Sequence, residues 1–156
     1  MAINYWLHLG TPMAVADVAD ELQDFARTLS DKPVTPELLL GEGMATRLGT
    51  WIRVSDTSLP PWSSVSEDLG FAPTVTVSFR QHKLTDMPAQ TDDMIRLTSD
   101  LLDRVPGDAV LHFDFEYIML LRRDSELSLN ARTDMWSPDR LAMVHQPYQR
   151  ATYAFS

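Results

Sequence analysis

The chain has 156 residues, enough for one domain with a substantial core, and its 44% apolar and 22% charged content excludes a disordered class. Cysteine is absent, which excludes disulfides and thiolate chemistry and suits a reducing compartment. Thirteen cationic residues face 22 acidic ones, and the net charge of −9 argues against nucleic-acid and anionic-membrane partners and for basic protein partners or plain solubility.

The first strand is predicted over residues 3–9, with Ile3, Tyr5, Leu7 and Leu9 on one face and Asn4, Trp6 and His8 on the other. Thr11 and Pro12 have the chemistry of a helix start. Val15, Val18, Ala19, Leu22, Phe25, Ala26 and Leu29 then form a stripe at helical spacing. Residues 31–43 read as a connection with one short helical turn at 36–40, and residues 44–54 as a second strand, with Leu48, Ile52 and Val54 inward and Arg47, Trp51 and Arg53 outward. The segment 55–73, rich in Ser and Pro, is the longest irregular stretch, and such loops are often functional.

A third strand over 74–82 alternates Val75, Val77 and Phe79 with Thr74, Thr76, Ser78 and Arg80. A second long helix is expected from about Thr91, with Asp92 and Asp93 in its first turn and Pro106-Gly107 at its end. Its buried side is Met94, Ile95, Leu97, Leu101, Leu102 and Val105. Strands follow at 109–113, 117–122 and 126–129, with turns at 114–116 and 124–125. Ser137-Pro138 starts a last short helix to about His145, and Pro147 leads into a tail. The methionines at 87, 94, 119, 135 and 143 read as core filler.

The order β-α-β-β-α-β is the ferredoxin-like plan. The expected fold is therefore α+β: a ferredoxin-like βαββαβ core extended by a C-terminal β-meander, with both long helices on one face of a mostly antiparallel sheet. The whole chain, 1–156, is expected to be a single domain, its core at about 3–130 and a short helix and tail at 131–156. The other sheet face is then open, or covered by the long loop and the tail.

Three constellations carry chemistry. His112-x-Asp114-x-Glu116 would point to one side of a continuous strand, with His8 beside it on a neighbouring strand, and imidazole with carboxylates could hold a divalent metal or move protons. The same spacing is also what a solvated strand face or a hairpin turn requires. Asp17, Asp20, Glu21 and Asp24 line one side of the first helix, as an acidic ridge for a basic partner or as an ordinary wet face. Trp6 and Trp51 share the outer sheet face with Arg47, Arg53 and Arg80, the residue types of interface hot spots, unless the loop or tail buries the rings. Phosphate-binding, zinc-protease, nucleophile-elbow and calcium-loop motifs are absent, so no cofactor is expected. No apolar run is long enough to span a bilayer, and MAINYWLHLG lacks the marks of a signal peptide, so a cytoplasmic protein is expected.

The opening MAINYWLHL, the central VTVSFR, the helix segment DDMIRL and the closing GDAVLHF with LLRRDSELSLN resemble the Sit-type immunity proteins. These are the protective halves of swarming-inhibition toxin pairs exchanged between bacterial cells on contact. The resemblance implies a small cytoplasmic protein, not an enzyme, that binds and silences a cognate toxin. It brings no catalytic residues with it. A homodimer through an edge strand or open sheet face is compatible with the fold. The competing expectation is a small metal-dependent hydrolase or ligand-binding domain using His8, His112, Asp114 and Glu116.

Overall fold

The computed structural model describes residues 3–57, 59–60 and 62–155; Met1, Ala2, Ser58, Ser156 and Pro61, the middle of the Pro-Pro-Trp run, lie outside them. Among these residues eight strands form one sheet in the order β2-β3-β4-β1-β5-β6-β7-β8. They are β1 (Ile3–Gly10), β2 (Met44–Ala45), β3 (Trp51–Asp56), β4 (Val75–Gln81), β5 (Asp108–Phe113), β6 (Tyr117–Arg123), β7 (Glu126–Leu129) and β8 (Gln149–Arg150). All neighbours are antiparallel except β7 and β8. The helices are α1 (Val15–Thr28), α2 (Pro36–Leu40), α3 (Ser64–Leu69), α4 (Met87–Arg104) and α5 (Pro138–Leu141).

The register sorts the side chains. Leu7 sits opposite Val77 and Leu111, and Leu111 opposite Leu120, so these alternating positions share one face. There they meet Val18, Ala19, Leu22 and Ala26 of α1 and Met94, Ile95, Leu97 and Leu101 of α4 in the main core. Each large aliphatic chain buried this way contributes roughly 1.5–3 kcal/mol. The opposite face carries Trp6, His8, Thr76, Ser78, Val110 and His112.

Several elements differ from the sequence expectation, each for a local reason. Thr11 does not cap α1. Its backbone is fastened to Thr74, whose Oγ1 accepts from Thr11 N (3.2 Å) and donates to Thr11 O (2.9 Å). The helix starts at Val15 behind Ala14, which offers no side-chain cap. The second strand is broken: Thr46 N bonds Thr50 O and Gly49 N bonds Thr46 O, both at 2.9 Å, with Gly49 in the left-handed region (φ 93°). This turn separates β2 from β3. α4 starts at Met87, not near Thr91, because Asp86 accepts from Ala89 N (3.1 Å) and Pro88 fits the first turn.

The segment 55–73 is not irregular throughout. Ser63 accepts from Ser66 N to open α3, and Gly70 in the left-handed region (φ 75°) closes it. Val65 and Leu69 of α3, with Phe71, pack on Val110, Ile118 and Leu121, and Leu59 and Phe155 join them, so loop and tail cover part of the second face. The tail adds β8, which the sequence does not signal, and α5 stops at Leu141 rather than near His145. Gly107 (φ 106°) is a position that only glycine fits, since a Cβ there would come within 2.1 Å of Gly10 O.

Candidate functional site

The second sheet face runs in rows set by the register. Trp51, Arg80 and Asn4 are abreast, then Arg53, Ser78, Trp6 and His112, then Ser55, Thr76, His8 and Val110. The third row is roofed: Thr76 and His8 are buried, and Thr57 of the loop bonds Thr76 through their hydroxyls. The first row and the β3–β4 side of the second are open, with Arg53 and Arg80 exposed and Trp6 and Trp51 half-buried, while His112 at the end of the second row is buried. The Arg80 guanidinium lies over the Trp51 ring (5.7 Å), whose Nε1 donates to Glu42 O (2.9 Å), and Arg53 Nε donates to Gly41 O (2.9 Å). Arg47, expected on this face, is on the 46–50 turn and donates to Asp31 and to the carbonyls of Thr28 and Ser30.

His8 and His112 meet on this face with ring centroids 5.0 Å apart, but the carboxylates expected with them do not join. Asp114 and Glu116 sit with Phe115 in the exposed turn between β5 and β6. Among the described residues no group of three or more His, Cys, Asp or Glu could hold a metal ion. The imidazoles work in packing. His8 Nδ1 bonds Thr76 Oγ1 (2.8 Å), and His112 Nδ1 accepts from Phe115 N (3.0 Å), which puts the neutral ring's proton on Nε2. Both Nε2 atoms are buried without a partner. Burial pulls the His8 pKa down to about 4. Burial, and then the charge of His8, pull that of His112 down to about 3. Phe115 covers the pair at 4.3 Å from the His112 ring, with Trp6 and Phe155 beside it.

Phe115 is also conformationally unusual, held at φ 58° after Asp114 at φ 43°. A bulky residue in the left-handed region is strained, and strain of this kind gathers at functional sites. The residue is nonetheless 40% exposed.

A serine, a histidine and an aspartate do come together elsewhere. Ser99 Oγ is 3.2 Å from His145 Nδ1, and His145 Nε2 bonds Asp103. The serine is 2% exposed on α4, and its hydroxyl proton goes to Gln146 Oε1 (2.8 Å). A nucleophile needs access and a free proton path to its base; this serine has neither. The cluster is a clasp that fastens residues 145–146 to α4.

The acidic ridge forms as expected along α1, with Asp17, Asp20 and Asp24 exposed and Glu21 half-buried. It is partly neutralised in place, because Asp24 pairs with Arg27 (3.2 Å) and Glu21 with Arg104 (3.6 Å).

The arrangement is that of an α+β protein with exposed surfaces of two characters, an acidic helix edge and an arginine–tryptophan sheet face. A family model described as SitI3-like matches residues 3–140, and the chain belongs to that family, the Sit-type immunity group anticipated from its sequence. Searches of curated proteins and of solved structures found no match. No helix among the described residues is long and apolar enough to cross a membrane.

Proposed function

We propose that this chain is an immunity protein that binds a cognate toxin and silences it in the cytoplasm of the cell that makes both. The observation that carries the reading is the family match over residues 3–140. We read the β1-α1-β3-β4-α4-β5 order as a ferredoxin-like core, extended by β6 and β7 as a meander, and residues 1–156 as one domain acting by contact rather than by catalysis. The candidate contact residues are Trp6, Trp51 and Arg80 on the sheet face and Asp17, Asp20, Glu21 and Asp24 on α1. A net charge of −9 favours a protein partner over nucleic acid or an anionic membrane. The hydrolase alternative gains no support from the turn that carries Asp114 and Glu116 away from His112.

The test is co-expression with the product of the adjacent reading frame. Rescue of growth together with co-purification at a fixed ratio is the expected result. Rescue without a complex, or a complex without rescue, would reject neutralisation by binding.

A further inference from the structure

The sheet face opposite α1 and α4 is roofed at one end by α3, Leu59, Phe71 and Phe155 and left open at the other. The open end carries Arg53 and Arg80, both exposed. Among the described residues no carboxylate comes within ion-pair distance of either, although most other arginines of the chain have one. Acids are plentiful in a chain with 22 of them, yet the strand neighbours of Arg80 are Trp51 and Asn4 and that of Arg53 is Ser78. Arg53 is tethered through Nε on Gly41 O, with no partner for its terminal nitrogens among the described residues, and the Arg80 guanidinium lies over the Trp51 ring. Preset arginine forks of this kind match carboxylates. On the same face, Phe115 stays partly exposed at the cost of a left-handed backbone and packs against Trp6 (5.6 Å).

We infer that this open end is the docking surface and that it takes an acidic segment of the partner protein, with an apolar side chain resting against the exposed edge of the Trp6–Phe115 pair. The assignment rests on the immunity reading and sharpens it. Although the chain as a whole is acidic, the complementary footprint is negative. The α1 ridge is the weaker candidate, because two of its four acids already have arginine partners within the chain.

The experiment measures binding of the adjacent reading frame's product to the purified wild-type chain and to three variants, across a salt series. The double variant Arg53→Gln with Arg80→Gln should bind about 30-fold more weakly or worse and with a flatter salt dependence. Phe115→Gly suits the backbone while deleting the ring, and should also weaken binding by about tenfold or more. The quadruple change of Asp17, Asp20 and Asp24 to Asn and Glu21 to Gln should weaken binding less than the arginine double variant does. Thermal unfolding checks each fold. If the double variant is unfolded, Arg80→Gln alone gives the reading, since among the described residues the Arg80 guanidinium makes no hydrogen bond or ion pair and only lies over the Trp51 ring. Full affinity in the arginine variants, or loss confined to the acidic quadruple variant, overturns the assignment and leaves immunity standing. No complex with the wild-type chain overturns both. A wild-type dimer dispersed by Arg53→Gln with Arg80→Gln would make the face a self-interface and overturn it as well.

Discussion

His8 and His112 show how a residue pair that suggests chemistry in the sequence becomes a constraint on folding. Each ring is buried and neutral, and each leaves one nitrogen without a partner, which is tolerable for a neutral imidazole and costly for a cation. The pKa values, about 4 and about 3 in the folded chain, lie below the ordinary 6.5. Between those limits the unfolded chain binds more protons, so stability is fully present above pH 6.5 and falls as pH drops towards 4 and 3. The loss is up to about 1.4 kcal/mol per pH unit for each ring. Protonating His112 at Nδ1 would also remove the acceptor that holds Phe115 N and so release the strained turn. We predict that urea titrations from pH 7 to pH 4 show this fall. His112→Asn keeps a side-chain acceptor without titrating, and its stability profile should be flatter. An equally steep profile in that variant would show that carboxylates elsewhere set the pH dependence.

At the scale of elements, the ends of α4 bind the structure together. Arg122 of β6 donates to Gly107 O (2.7 Å), Leu102 O (2.8 Å) and Val105 O (2.5 Å), so one guanidinium satisfies the carbonyls where the helix stops. Arg122→Ala should cost about 2–4 kcal/mol in a denaturant titration, because charged hydrogen bonds and satisfied carbonyls are lost together. A cost within about 0.5 kcal/mol would mean that water replaces the arginine without penalty. The clasp on α4 gives a second prediction. Ser99→Ala should lower stability by about 1–2 kcal/mol yet leave growth protection intact. A variant with unchanged stability and abolished protection would give the Ser99–His145–Asp103 cluster a chemical role.

The elements legible in the sequence were those with strong period or punctuation. The α1 stripe, the α2 turn at Pro36–Leu40, the alternation of β4 and the Pro106-Gly107 stop all stand where expected. The missed features rely on distant partners. Gln90 looks like a surface residue, but it is buried and links His82, Thr50 and Thr85, and nothing nearby in the chain announces those bonds. Trp136 lies in a segment read as a tail, yet it is 1% exposed and donates to Met119 O (2.9 Å). α3 had its signals, Ser63 and Gly70, but a helix of six residues is too short for periodicity to stand out from a Ser- and Pro-rich loop.

For the whole molecule, charge and shape carry different information. A net charge of −9 suggests an acidic protein seeking a basic partner, and the α1 ridge fits that picture in sequence. In three dimensions part of the ridge is neutralised, while two arginines with no carboxylate partner among the described residues gather on an uncovered stretch of sheet. Only register could place Trp51 beside Arg80 and Trp6 beside Ser78, and only the loop and tail decide which rows remain open. The central claim is that protection follows from stoichiometric binding. Its most direct measurement is calorimetric titration of the adjacent reading frame's product into this chain, made with a pair already seen to rescue growth. The prediction is a saturable heat at a fixed integer ratio. A flat titration with that protective pair would contradict it.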